Sequence, residues 1–239
     1  MNVLRHPNTT NIHTHGLHVS SMAPGDDPFQ IIAPGSELTS HFQIPAYHMG
    51  GTHWYHPHHH GSTALQAGGG AAGVFIVEDQ PGEVPEEIRT MEERVMMWTV
   101  LDLSTLAAVQ GLFNDALWTV GGSGDAAATI MLVNGQSRPE VAVEAGKWYR
   151  WRMVFSALGS ASVLSFAPGS DGATCELQLL AKDGVYLPLA PRAIDRVHLY
   201  PGARADVVSS KSWPLRITSI ALLLEQCDAH CSSSWHDIC

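Results

Sequence analysis

Two His-x-His pairs, His13-Thr14-His15 and His56-Pro57-His58, limit the backbone more than any other feature of this 239-residue chain. Alternate residues face one side, about 6.5–7 Å apart, only where the backbone is extended. Each pair therefore presents two imidazoles together if it lies on a strand. The pairs sit in denser runs, IHTHGLH at 12–18 and GTHWYHPHHHG at 51–61, and ten of the 14 histidines fall between His13 and His60. If the runs meet in space, four imidazoles converge on a small volume. Neutral imidazoles gathered in that way need a cation to organise them, and imidazole nitrogen suits copper, zinc, iron or nickel. Pro57 removes a ladder donor, which places the second pair at a strand edge or end.

His13, His15, His56 and His58 are thus the candidate metal ligands. On a strand His59 would point away from His58, so it reads as a surface residue. His18, His48, His53 and His60 are candidates for supporting the ligands or the fold, and His6, His41, His198 and His236 require no special role.

The rest of the sequence agrees with an extended backbone. Short runs rich in β-branched and aromatic residues recur between Gly, Pro, Asp and Ser punctuation, at 38–44, 73–77, 94–100, 148–154, 176–180, 197–200 and 215–220. Helical periodicity is confined to short stretches at 85–93 and 103–110. Many short strands with turn signals predict an all-β protein of sandwich or barrel type. The acidic, proline-bearing segment EDQPGEVPEEIRTMEE at 78–93 has linker composition. It divides the chain into units at 1–80 and 94–220, joined by a linker at 81–93 and followed by a tail at 221–239. Ala33-Pro34-Gly35-Ser36 and Tyr200-Pro201-Gly202-Ala203 read as turns.

Charge and composition exclude several functions. A net charge of −10, with 13 Lys and Arg scattered along the chain, argues against nucleic acid and anionic membranes as partners. No stretch approaches the roughly 18 apolar residues of a membrane span, and no apolar leader is visible at the N-terminus. Cys175, Cys227, Cys231 and Cys239 form neither a zinc-ribbon pattern nor a legible disulfide framework. The glycine-rich run at 68–73 lacks the Lys-Ser/Thr of a phosphate loop; close backbone packing beside the histidine strands explains it better. A zinc site of His13, His15 and His56 is a competing reading. It would want a general base, for which Asp26, Asp27 and Glu37 are available without a motif.

TNIHTHGLH at 10–18 and HWYHPHHHGSTALQAGGGAAGVFIVED at 53–79 resemble the two copper-ligand segments in the first cupredoxin domain of the laccase-like multicopper oxidases. DDPFQIIAPGSELTSHFQIP resembles the stretch between them, and MLVNGQSRPEVAVEAGKWYRWRMV with AKDGVYLPLAPRAIDRVHLYPGARADVV resembles the second, usually copper-free, domain. The resemblance spans residues 9–220. It implies two cupredoxin-like Greek-key β-sandwich or barrel domains, the first lacking its initial strands. It also implies copper as cofactor: His13 on the type 2 ion and His15, His56 and His58 on the type 3 pair of a trinuclear cluster. Dioxygen and a small reducing substrate (a phenol, an amine or a metal ion) are the implied partners, and a secreted or periplasmic location is the implied compartment.

The family cluster needs eight histidines from four motifs, and two motifs stand here. A second chain supplying the missing histidines is one expectation; a copper-binding or storage protein without turnover is the alternative. In the tail, His230-Cys231-Ser232-Ser233-Ser234-Trp235-His236 has the spacing of the family's late His-Cys-His-x-x-Trp-His segment, with Ser232 at the second histidine. A complete type 1 site is therefore not expected.

Overall fold

The computed structural model describes residues 8–102, 129–137, 139, 141–157, 161–166, 175–211 and 222–227. The expected strand at 215–220, the expected helix at 103–110 and the His230–His236 segment lie outside these residues, as do His6, Cys231 and Cys239.

Among the described residues the chain is all-β apart from two short helices, as the punctuation predicts. Three strands come from the first part: β1 (His13–His15), β2 (Gly51–His56) and β3 (Gly73–Val77), paired antiparallel in the order β1-β2-β3. The helix α1 (Thr63–Gly68) connects β2 to β3.

The remaining strands are β4 (Glu92–Asp102), β5 (Thr129–Val133), β6 (Trp148–Ala157), β7 (Ala161–Phe166), β8 (Cys175–Lys182), β9 (Val185–Tyr186), β10 (Arg192–Ile194), β11 (Val197–Leu199), β12 (Arg204–Lys211) and β13 (Leu222–Cys227). They form a seven-stranded sheet in the order β10-β8-β12-β6-β4-β5, with β9 on β8, and a three-stranded sheet β11-β7-β13. The two sheets are the layers of a β-sandwich.

Strand alternation explains where the core lies. Tyr149, Trp151, Met153 and Phe155 point to one face of β6. There they join Met96 and Trp98 of β4, Ala205 and Val207 of β12, and Leu164 and Leu199 of the smaller sheet. The indole N–H of Trp151 donates to Ser209 Oγ at 2.7 Å, so the ring is buried with its donor satisfied. The opposite face of β6 carries Arg150, Arg152 and Val154, all fully buried. That face is covered by the first part of the chain. Asp79, just after β3, meets both arginines there, and Thr52 of β2 meets Arg152.

The segment read as a linker is packed. It forms helix α2 (Glu86–Arg89), and Val84 and Ile88 are buried against Leu180 and Val208. The expected strand at 38–44 does not form. Residues 40, 42 and 44 are half-buried and 39, 41 and 43 exposed, so an extended alternation survives. Without a neighbouring strand there is no ladder; the His41 N–H donates instead to the Pro24 carbonyl at 2.8 Å. Both Pro-Gly segments are turns. Ser36 N–H donates to Ala33 O at 3.0 Å and Ala203 N–H to Tyr200 O at 2.8 Å, with Gly35 and Gly202 at φ +76° and +81°. Glycine at the third position supplies that positive φ without steric cost.

Candidate metal centre

The register of two short strands builds the site. His13 of β1 stands opposite His56 of β2, and His15 stands opposite Trp54. Because side chains alternate, His13 and His15 share a face with Trp54 and His56. The His13 and His56 rings are 5.4 Å apart, His15 and His56 5.7 Å, and His13 and His15 6.1 Å. One nitrogen from each of these three rings lies within 4.8 Å of the others. His58 follows β2, beyond Pro57, and brings its ring to 5.0 Å from His13 and 5.8 Å from His56. The structure therefore joins His13, His15 and His56 into a preformed triad and sets His58, more exposed, on its rim.

Neighbouring groups fix the orientation of each ring. His13 Nδ1 donates to Asp26 Oδ1 at 3.1 Å, which turns its Nε2 towards the other imidazoles. The same carboxylate accepts Thr14 N–H at 3.0 Å and Thr14 Oγ1 at 2.9 Å, tying it to β1. His56 Nδ1 donates to the Pro57 carbonyl at 3.0 Å, leaving Nε2 buried and without a hydrogen-bond partner. Trp54 stacks on His56 at 4.2 Å and on His15 at 5.2 Å. Asn11 Oδ1 accepts the His58 N–H at 2.6 Å, and its amide donates to Pro28 O at 2.8 Å, anchoring the rim.

The electrostatics favour unprotonated rings. Burial, then the Arg204 cation and the neighbouring His56 and His13, pull His15 down to about 4. Burial also lowers His56, against the partial support of its bond to Pro57 O. Both rings therefore offer lone pairs near neutral pH, the form in which imidazole binds a metal. A cavity of about 890 Å³ lined by His15, Lys182, His198, Tyr200 and Arg204 opens beside the triad. The turn at Gly202 packs so close that a Cβ there would lie 3.3 Å from His15.

The histidines outside this face fall into distinct places. His59 is half-buried rather than on the surface, its Nδ1 3.1 Å from Thr9 Oγ1. The strand ends at His56, so the alternation that would have turned His59 outward does not reach it. His60, His41 and His198 are exposed. His18, His48 and His53 form a chain of rings apart from the triad, at 5.2 and 5.4 Å. Asn11, Trp54 and Arg204 carry no sequence signal as site residues. Asp26 stood among three unsupported candidates for a general base, but its bonds to His13 and Thr14 make it an orienting group.

Residues 1–82 match the family model for multicopper oxidases. The multicopper oxidase mco of Staphylococcus aureus is 26% identical over 200 residues, 83% of this chain and 41% of the relative. The cell division protein FtsP of Escherichia coli K12 is 27% identical over 199 residues, 82% of this chain and 39% of the relative. Among solved structures, the multicopper oxidase Fet3p superposes with a TM-score of 0.68 at 21% identity, covering 92% of this chain and 39% of that one. The blue copper oxidase of Nitrosomonas europaea gives 0.63 at 23% identity, over 86% and 60%. The chain spans about 40% of the length of the curated relatives matched along most of it. Residues 1–82 thus resemble the multicopper oxidase family's domain, and the chain shares the cupredoxin-type β-sandwich fold of the solved multicopper oxidases.

Proposed function

We propose that this chain binds copper through His13, His15, His56 and His58 and contributes half of a trinuclear centre for one-electron substrate oxidation coupled to dioxygen reduction. The observation that supports this reading is the triad: three imidazole nitrogens within 4.8 Å on register-paired strands. The donor set fits the metal. The orphaned His56 Nε2 has no protein partner, and imidazole suits copper. By family likeness His13 takes the type 2 ion and His15, His56 and His58 the type 3 pair. Bound copper would supply the electron-transfer and oxygen-binding chemistry of such a centre.

The chain's own residues do the positioning. Asp26 holds the His13 proton on Nδ1 and leaves Nε2 to ligate. The Pro57 carbonyl does the same for His56. Trp54 keeps one flank of the rings dry and restricts their tilt. The remaining histidines of a complete cluster come from outside the two motifs, supplied by a second chain in this proposal. A phenol, an amine or a metal ion is the proposed reductant, and a secreted or periplasmic setting the proposed location. No helix among the described residues is long and apolar enough to cross a membrane.

Two other readings compete. Zinc hydrolysis is disfavoured because Asp26, the nearest carboxylate, is already committed to His13 and Thr14. A copper-binding or storage role without turnover uses the same ligands. The first test is copper stoichiometry after anaerobic Cu(I) loading and air oxidation, in the native chain and in His13→Ala/His56→Ala. The expected result is at least two coppers bound through the histidine face and lost in the double variant; equal copper in both proteins would overturn the proposal. Oxygen uptake with a phenol or amine then separates oxidase from storage, and turnover by the chain alone would show that no second chain is needed.

A further inference from the structure

We propose that Arg204 is a positioning residue for the copper face: it seats His15, and its cation biases copper held there towards Cu(I). The inference rests on the copper reading of the paired histidines. Alternation along β12 turns Ala205 and Val207 into the sandwich core and leaves Arg204 and Asp206 facing the histidine sheet. Arg204 is 4% exposed.

Its guanidinium ties together three segments around the face. Nε donates to the Thr52 carbonyl of β2 at 3.3 Å, Nη1 to the Gly202 carbonyl at 3.4 Å and Nη2 to the Asp183 carbonyl at 2.7 Å. Two glycines carry this grip to His15. Gly16 follows His15 directly, and a Cβ there would lie 3.3 Å from Arg204 Cζ and closer still to Nη2. A Cβ on Gly202 would lie 3.3 Å from His15 Cε1. The guanidinium is therefore pressed against the end of β1, while the turn that it anchors lies against the ring. Arg204 and His15 also line one cavity.

The charge of Arg204 outlasts this packing. Arg150 and Arg152 are paired with Asp79 and Asp206, whose side chains are 1–2% exposed. The side-chain bonds of Arg204 end instead on carbonyl oxygens, which carry no net charge. The carboxylate paired with it, Asp183, stands at 3.8 Å and is 55% exposed, where solvent screens it. Arginine keeps its proton throughout the accessible pH range. At a given distance a fixed cation repels Cu(II) about twice as strongly as Cu(I). Gain of one electron by copper on His15 is favoured accordingly. The reducing substrate (a phenol, an amine or a metal ion) supplies that electron, and no bond or proton moves at Arg204.

The test is competition titration of the full chain, against bicinchoninate for Cu(I) without oxygen and against nitrilotriacetate for Cu(II). In Arg204→Met the ratio of Cu(I) to Cu(II) affinity should fall roughly tenfold, about 59 mV for one electron. Arg204→Lys keeps the charge but loses the planar fork, so both ions should bind more weakly at a ratio close to the native one. A side chain that only braced the fold would weaken both ions together in either variant. The Arg204→Met shift should vanish when His15→Ala is added, because the two residues act as a unit. An unmoved ratio in Arg204→Met, an equal shift in Arg204→Lys, undiminished binding in Arg204→Lys, or a shift that persists without His15 would overturn the proposal. If Arg204→Met does not fold, Asp183→Asn decides. It keeps an oxygen for the Arg204 backbone N–H, and asparagine accepts the φ of +53° found there. The ratio should then move towards Cu(I); a ratio equal to the native one would overturn the charge role. Failure of the copper reading is seen separately, as equal copper in the native chain and in His13→Ala/His56→Ala.

Discussion

Asp26 is 7% exposed, and both of its oxygens are occupied by β1: Oδ1 by His13 and the Thr14 N–H, Oδ2 by the Thr14 hydroxyl. A carboxylate in this position fixes which nitrogen of His13 carries the proton and raises the basicity of the other. Asp26→Asn keeps an oxygen for Thr14 but removes the charge, and Asp26→Ala removes both. We predict a roughly 10- to 100-fold loss of copper affinity in Asp26→Ala and a smaller loss in Asp26→Asn, by competition titration. The electron paramagnetic resonance of the His13-bound copper should shift in both. A fall in melting temperature with unchanged affinity and spectrum would mean that Asp26 only braces β1. This residue shows why the site was half legible. Ligands that recur at i and i+2 announce themselves, whereas Asp26 acts from a turn thirteen positions away, and nothing local distinguishes it from Asp27.

Elements were legible where a strand carries its own pattern. The runs at 94–100 and 148–154 are dense in apolar and aromatic residues and became the centre of the large sheet, whereas 38–44 alternates in sequence but has no strand beside it. Pattern states that a segment is extended; only tertiary pairing makes it a strand. The same limit hides the faces. Arg150 and Arg152 sit on the polar side of a strand, which ordinarily means solvent, yet both are fully buried. The start of β2 is tightly fitted to that region. A Cβ on Gly50 would lie 2.7 Å from Asp79 Cα and 2.9 Å from Asp79 N, both backbone atoms that cannot rotate away. Gly50→Ala should therefore cost about 1–3 kcal/mol in denaturant unfolding of the apo chain. A neutral effect would mean that β2 shifts freely against Asp79. Such freedom would also loosen the His13–His56 register.

Across the whole molecule, the contact between the histidine sheet and the β-sandwich is ionic rather than apolar. Arg150 bonds Asp79 and, at 2.7 Å, Asp206; Arg152 bonds Glu93 at 2.7 Å; and Tyr186 donates to Asp79. Thr52, on the strand that carries His56, donates to Asp206 Oδ1 at 2.5 Å. Burial alone would raise the Asp79 carboxyl, but the Tyr186 hydroxyl and the Arg150 guanidinium outweigh it and hold the group below its ordinary 3.8. A depressed carboxylate stabilises the fold above its unfolded value and loses that contribution as pH falls through the folded one. The apo chain should therefore lose stability below about pH 4. Asp79→Asn, weaker at neutral pH, should converge on the native chain as the pH drops; a gap constant from pH 7 to 3 would show that the charge of Asp79 contributes nothing.

Removing the cation should be more severe, because it leaves Asp79 and Asp206 buried without their main partner. We expect Arg150→Met to cost about 3–5 kcal/mol. The loss should fall on the junction first, since the core built on Trp98, Trp151 and Phe155 lies on the other side of the sheet. Copper release should then precede the loss of β-sheet circular dichroism during unfolding, where the native chain shows both in one transition. Coincident transitions in the variant would mean that the histidine sheet is held by contacts other than this network.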